Sequence, residues 1–251
     1  MKILNLLTVF ASLCALLAVA PAFALSVPEK LVYEVSWTGI KAGTAVQEVS
    51  VKGGELHIVS TTRSAGWINP FFPVDDRTES VLIRGTGTEH IGTPKWFKEK
   101  INEGKVHSLK EAQFDPQRLT VDTKDLRAKT TKTDTISTRT YDTLSAIYAV
   151  RSLDLVPGSS VYIDIYDCKH LWNTEVQVVK REEIDTPVGR FKTLVVKPHL
   201  RSEGLFARTG DVTVWITDDS LRIPVRMTTK VKLGKITATL VGGSYWPDRE
   251  E

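Results

Sequence analysis

Three groups of residues have the types and spacing that chemistry needs. Asp218, Asp219 and Arg222, with Pro224 behind them, form the densest polar constellation in the chain. Two adjacent carboxylates beside a guanidinium could bind a cation or carry acid and base steps. The same residues also spell a tight turn, in which Asp and Ser side chains bond backbone amides, Arg222 pairs one carboxylate and Pro224 opens an edge strand. Adjacent strand residues point to opposite faces, which favours the turn over a shared site.

Cys168 and His170 stand two apart, so on a strand they share a face and could form a thiolate and imidazole pair. No Asn or Asp is placed to orient the histidine, and a small core residue is the simpler role for this cysteine. The five histidines, His57, His90, His107, His170 and His199, lack metal-ligand spacing. There is no Gly-x-Ser-x-Gly elbow and no glycine loop leading into a helix to cradle phosphate. The sequence therefore nominates no catalytic residue, no metal and no cofactor.

The third group is apolar. Trp67-Ile68-Asn69-Pro70-Phe71-Phe72-Pro73 breaks strand alternation, yet it places three aromatics and an isoleucine where a loop is normally polar. These side chains either fold back to seal an end of the core, form the lip of an apolar cavity, or dip into a membrane surface. The candidate ligand-binding residues are Trp67, Phe71 and Phe72, with Tyr148 on a helix nearby.

The elements that must position these groups are strands. Leu31, Tyr33, Val35 and Trp37 alternate with Glu34, Ser36 and Thr38, the period-two signature of a strand buried on one face. The same pattern runs through Val161 to Ile165, Val212 to Ile216, Val225 to Leu233 and Ile236 to Leu240. Further strands are expected at Ala45 to Val51, Leu56 to Arg63, Asp75 to Ile83, Lys105 to Phe114, Glu175 to Arg181 and Phe191 to Lys197. A hairpin with Gly234-Lys235 as its two-residue loop would pair Leu233 with Ile236, Val231 with Ala238 and Thr229 with Leu240. Its inward row would be Val225, Met227, Val231, Leu233, Ile236, Ala238 and Leu240.

One helix interrupts the strands. Asp142 is a candidate N-cap, and Leu144, Ile147, Tyr148, Val150 and Leu153 cover most of the circumference, broken by Arg151, before Pro157-Gly158 ends it. Thr120 to Thr140 is rich in threonine and charge, and reads as an exposed edge hairpin or a mobile loop. Short strands, turn-rich separators and a lone apolar helix predict a mainly β fold, an antiparallel barrel-like or strongly curved sheet with one buried helix.

Composition agrees with a single domain over 25–251. The chain has 251 residues, 41% hydrophobic and 25% charged, as globular proteins do. Thirty-three Lys and Arg against thirty Asp and Glu give +3, interspersed, which argues against a nucleic-acid partner. Met1 and Lys2 precede an apolar run from Ile3 to Val19, and Ala22-Phe23-Ala24 supplies small residues for cleavage, so residues 1–24 read as a secretory signal and Leu25 as the mature start. A retained membrane anchor is the rival reading. Leu13 before Cys14 argues against lipidation. Loss of Cys14 with the signal leaves Cys168 alone, so the exported, periplasmic protein has no intramolecular disulfide.

The ordered features resemble one family of exported bacterial proteins, domain of unknown function 3108. The resemblance rests on Trp37-Thr38-Gly39-Ile40 with Ala42-Gly43, on Asp142-Thr143-Leu144-Ser145-Ala146-Ile147-Tyr148-Ala149-Val150-Arg151, and on Thr186-Pro187-Val188-Gly189-Arg190-Phe191. Val214-Trp215-Ile216-Thr217-Asp218-Asp219 with Arg222-Ile223-Pro224-Val225 completes it. It implies an antiparallel, barrel-like envelope protein and supplies no catalytic residues. Three function classes follow: a binding module for an apolar or lipid-like molecule, a structural component that contacts another envelope protein, and, third, a hydrolase. An outer-membrane barrel is disfavoured, because the outward row Arg226, Thr228, Lys230 and Lys232 is too polar to face lipid.

Overall fold

The computed structural model of the chain describes residues 25–84, 91–199, 212–231 and 233–246. The expected signal over 1–24 and its cleavage site lie outside them, as do His90 and Lys232. Period-two alternation becomes a long meander. The first half runs β1 (Glu29–Trp37), β2 (Ile40–Lys52), β3 (Glu55–Ser64), β4 (Asp75–Ile83), β5 (Thr93–Glu103), β6 (Val106–Asp115), β7 (Thr120–Asp125) and β8 (Thr130–Thr135). The second half runs β9 (Thr140–Asp142), α1 (Ser145–Arg151), β10 (Ser160–Tyr166), β11 (Leu171–Thr186), β12 (Gly189–Pro198), β13 (Val212–Thr217), β14 (Pro224–Val231) and β15 (Gly234–Gly243). Because β15 pairs with β1, the halves join into one fifteen-stranded sheet, antiparallel except for β9 beside β10.

Strand twist accumulates, and a sheet this wide curls rather than lying flat. β9 comes to rest against β5. Across the gap, Ser80 Oγ donates to Asp142 Oδ2 at 2.6 Å, and the Tyr166 hydroxyl lies 2.8 Å from Thr123 Oγ1. Tyr166 also donates to Asp134 Oδ2 on β8. The two ends of the sheet thus meet through side chains of β9 and β10 on one side and β4, β7 and β8 on the other, without sharing a backbone ladder, which gives the curled, barrel-like form that alternation predicts. The threonine-rich segment is the β7–β8 edge hairpin of that curl.

The helix plugs one end. Asp142 accepts the amide N–H groups of Leu144 at 3.0 Å and Ser145 at 2.8 Å, so it caps the turn leading into α1, while the N-cap position itself is Leu144. Ala146, Tyr148 and Ala149 then pack into a core with Phe97, Phe114 and Tyr166. A second cluster, including Leu31, Tyr33, Val225 and Leu240, fills the space between β1, β14 and β15.

Two expectations need correction. In the β14–β15 hairpin, Val231 pairs with Gly234, Thr229 with Ile236 and Met227 with Ala238. The faces are as expected, but the turn comes two residues early. Val225, Ala238 and Leu240 are buried, Val231 and Ile236 are half-buried, Met227 is 38% exposed and Leu233 is 75% exposed. The cause is the neighbouring strand: a Cβ at Gly234, whose φ is +98°, would stand 2.1 Å from Thr38 Oγ1. Gly234 lets the β1–β2 turn lie on the hairpin, where Thr38 N–H donates to the Lys235 carbonyl at 2.7 Å. The other correction is β5, absent from the expected strands. A bulge opposite Val81 and Leu82 breaks its alternation, so Pro94 and Phe97 are buried despite their odd spacing.

Candidate functional site

The end opposite the helix is open. Trp37 pairs with both Ile40 and Ile236, Gly43 pairs with Ser64, and Val74 bridges to Glu103. This register brings the β1–β2, β3–β4, β5–β6 and β14–β15 connections to one rim. The β3–β4 loop is tightly wound. Ile68 N–H donates to the Ala65 carbonyl at 3.0 Å, and the Phe71 and Phe72 amides both donate to the Ile68 carbonyl, at 2.9 and 2.8 Å. Ser64 Oγ accepts the Val74 amide at 2.8 Å and closes the loop.

That winding divides the aromatic segment residue by residue. Ile68 is buried and acts as the seal, while Phe71 is left 81% exposed. Phe72 lies on Gly104 in the β5–β6 turn, where φ is +56° and a Cβ would be 2.9 Å from the ring. Between this loop and the β14–β15 hairpin lies a cleft of about 450 Å³. Ile68, Phe71 and Phe72 wall one side, and Trp37, Leu233 and Ile236 wall the other. The volume and the apolar lining fall within the range for small-ligand sites.

Arg63 and Glu103 are the charged residues of the lining. Burial, then the neighbouring Asp76 carboxylate, push the Glu103 carboxyl up to about 7. Asp76 is itself held above the usual carboxylate range by burial, opposed by the Asn102 amide that donates to it at 2.7 Å. The cleft therefore offers a long apolar wall with a protonatable group at one edge.

Of the nominated ligand-binding residues, Phe71 and Phe72 line the cleft and Trp67 and Tyr148 do not. Trp67 stands just outside, its Nε1 donating to the Lys41 carbonyl at 2.8 Å. Tyr148 is fully buried, with its ring centre 5.0 Å from the Arg151 guanidinium carbon and its hydroxyl 3.5 Å from Gln47 Oε1. Gln47 lies four residues below Gly43 of the cleft wall, about 13 Å along an extended strand. Tyr148 shares a helical face with Arg151, and that face turns toward the sealed end.

The polar constellation is a turn. Asp219 Oδ1 accepts Thr217 Oγ1 at 2.7 Å and the amides of Leu221 and Arg222 at 3.0 Å, whereas Asp218 takes Arg181 Nε at 2.7 Å. Arg222 donates to the backbone carbonyls of Arg151 and Leu153 instead of pairing a carboxylate. Cys168 and His170 separate as well. Asp167 Oδ1 accepts the Lys169 and His170 amides, which makes a turn with Cys168 buried and His170 exposed beside Trp172. Burial pushes the Cys168 thiol far above its ordinary value, so it is held protonated. Among the described residues, no group of three or more His, Cys, Asp or Glu is arranged to hold a metal.

Sequence reasoning missed Trp37, Leu233 and Glu103 as wall residues. A signal existed for the first two, since Trp37 lies two residues before Gly39 and Leu233 directly before Gly234. Glu103 carried none, because it lies in the strand that went unrecognised.

The comparisons with known proteins bear on fold and family. A family model described as protein of unknown function (DUF3108) matches residues 32–241. No curated protein matches in sequence. A beta-barrel-like protein of domain of unknown function DUF1849 from Brucella abortus is similar in structure, with a TM-score of 0.56 at 13% identity over 90% of this chain and 99% of that one. A putative exported protein with YmcC-like fold from Bacteroides fragilis gives a TM-score of 0.33 at 11% identity, over the same shares of the two chains.

Proposed function

The chain belongs to the DUF3108 family of proteins of unknown function, and from the site we propose that it is an exported, periplasmic, non-enzymatic binding module for an apolar or lipid-like ligand. The observation that carries the reading is the cleft of about 450 Å³ at the open end of the sheet, with Phe71 and Phe72 as its lip. A pre-formed apolar cleft gains from burying a chain that water disfavours, and its few polar groups orient rather than hold it. The amino-terminal apolar run and the small residues Ala22 and Ala24 support export.

Titration with a fluorescent fatty-acid probe tests the ligand. Ala42 lines the cleft beside Gly43. The parent protein should bind the probe, Ala42→Phe should fill the cleft and abolish binding, and Phe71→Ser should weaken binding with little change in stability, because Phe71 is 81% exposed. A parent protein that takes up no probe, or an Ala42→Phe variant that binds as tightly as the parent, would end this reading.

A further inference from the structure

The four connections around the cleft share two properties that ligand binding does not require. Ile40 is 61% exposed, Trp67 49%, Phe71 81%, Val106 60% and Leu233 75%, all at this end. Globular surfaces usually scatter such side chains singly. The charge at this end is net positive. Among the described residues of segments 37–42, 63–76, 103–107 and 230–236, Lys41, Arg63, Lys105, Lys230 and Lys235 stand against Asp75, Asp76 and Glu103. Lys41 and Arg63 reach back to Glu34 and Asp75 on the strands, each at 3.4 Å, while Lys105 and Lys235 stand exposed. The turns at the helix end carry Asp115, Asp185, Asp218 and Asp219 beside Arg118, Arg190 and Arg222, with Arg118 pairing Asp115 and Arg190 pairing Asp185.

Exposed aromatic and aliphatic side chains ringed by lysines are complementary to an anionic lipid surface, in which rings sit at headgroup depth and cations meet phosphates. Hydrogen bonds join the rim segments: Trp37 Nε1 donates to the Leu233 carbonyl at 2.6 Å and Trp67 Nε1 to the Lys41 carbonyl at 2.8 Å.

We propose that this rim docks the protein on an anionic lipid surface, with Ile40, Trp67 and Phe71 entering the headgroup layer and Lys105 and Lys235 facing lipid phosphates. Docking in this orientation turns the mouth of the cleft to the bilayer. The inference stands on the rim and does not depend on the cleft being occupied.

Co-sedimentation of the purified protein with vesicles tests it, using phosphatidylglycerol mixed with phosphatidylcholine in one set and phosphatidylcholine alone in the other. Binding is expected on the anionic vesicles, weakening as salt rises, and at least about tenfold weaker on the neutral ones. Ile40→Ser with Trp67→Ser should lower binding by roughly tenfold or more. Neither residue lines the cleft, so uptake of the fatty-acid probe in vesicle-free buffer should be unchanged in that variant. Lys105→Glu with Lys235→Glu should abolish the preference for anionic vesicles. No sedimentation with anionic vesicles, equal binding to both compositions, or full binding by the folded Ile40→Ser, Trp67→Ser variant would overturn the proposal. Probe binding is read separately and reports on the cleft alone.

Discussion

The Arg151 guanidinium meets the Glu29 carboxylate through two parallel bonds, Nη1 to Oε1 at 2.7 Å and Nη2 to Oε2 at 2.8 Å, and neither side chain has any solvent exposure. Tyr245 donates to Glu29 Oε2 at 2.9 Å, and Arg151 Nη2 also donates to the Leu221 carbonyl at 2.9 Å. One charge pair thereby fastens α1 to the start of β1, to the β13–β14 turn and to the segment after β15. It sits at the sealed end, which leaves the other end free to open.

Removing one member of a buried, bidentate pair leaves a charge without compensation, so Arg151→Met should cost about 3–5 kcal/mol. The double variant Arg151→Met, Glu29→Leu should recover most of that loss, because replacing both charges by apolar groups is often neutral. Urea unfolding of the single and double variants measures the difference, and a double variant no more stable than the single would refute the pair as the cause.

Asp142 is the second buried anchor. Its carboxyl accepts Ser80 Oγ at 2.6 Å and Ser145 Oγ at 2.7 Å besides two amides, while burial raises its pKa against those bonds. Asp142→Ala removes the cap and the bond to β4 together, at an expected cost of about 2–3 kcal/mol. Asp142→Asn keeps an acceptor for the amides and should cost less. Equal melting temperatures for the two variants would contradict the capping role.

The hairpin register gives a sharper contrast. Val225 is fully buried and Leu233 is 75% exposed, although simple alternation sets both facing inward. Val225→Asp should unfold the protein by burying an unpaired charge, and Leu233→Asp should shift the melting temperature little. Comparable losses from both would restore the register with Gly234-Lys235 as the loop.

Local patterns carried most of the architecture. Alternation in residues such as Leu31, Tyr33 and Val35 marked the strands, and the breakdown of alternation at Trp67 to Phe72 marked the loop that lines the cleft. What escaped notice depends on distant partners. Arg151 broke an otherwise apolar helix, but Glu29 lies 122 residues away and no local spacing links them. Gly234 looked like a turn glycine, whereas its need comes from Thr38 on another strand. The apolar pattern places Tyr148 on a buried helix but does not orient that helix, so proximity to the mouth does not follow from it. The ion pair with Glu29, together with the Asp142 cap and the Arg222 bonds to the Arg151 and Leu153 carbonyls, orients the helix with that face toward the sealed end.

Glu103 makes the cleft edge sensitive to pH. An unfolded glutamate releases its proton near 4.5, and Glu103 in the folded protein holds it up to about 7. Between these values the folded state binds more protons, so this contribution to stability is complete below 4.5 and is lost as pH rises through about 7. Melting curves across that window should fall less steeply for Glu103→Gln than for the parent. Parallel curves would show that the side chain is not held protonated.

The most direct test of the ligand reading is native mass spectrometry of the protein purified from its own cells, beside the Ala42→Phe variant prepared in the same way. A cleft that holds an apolar molecule predicts an added mass of lipid size on the parent, absent from the variant. Bare polypeptide mass on the parent, together with no uptake of the fatty-acid probe, would contradict it.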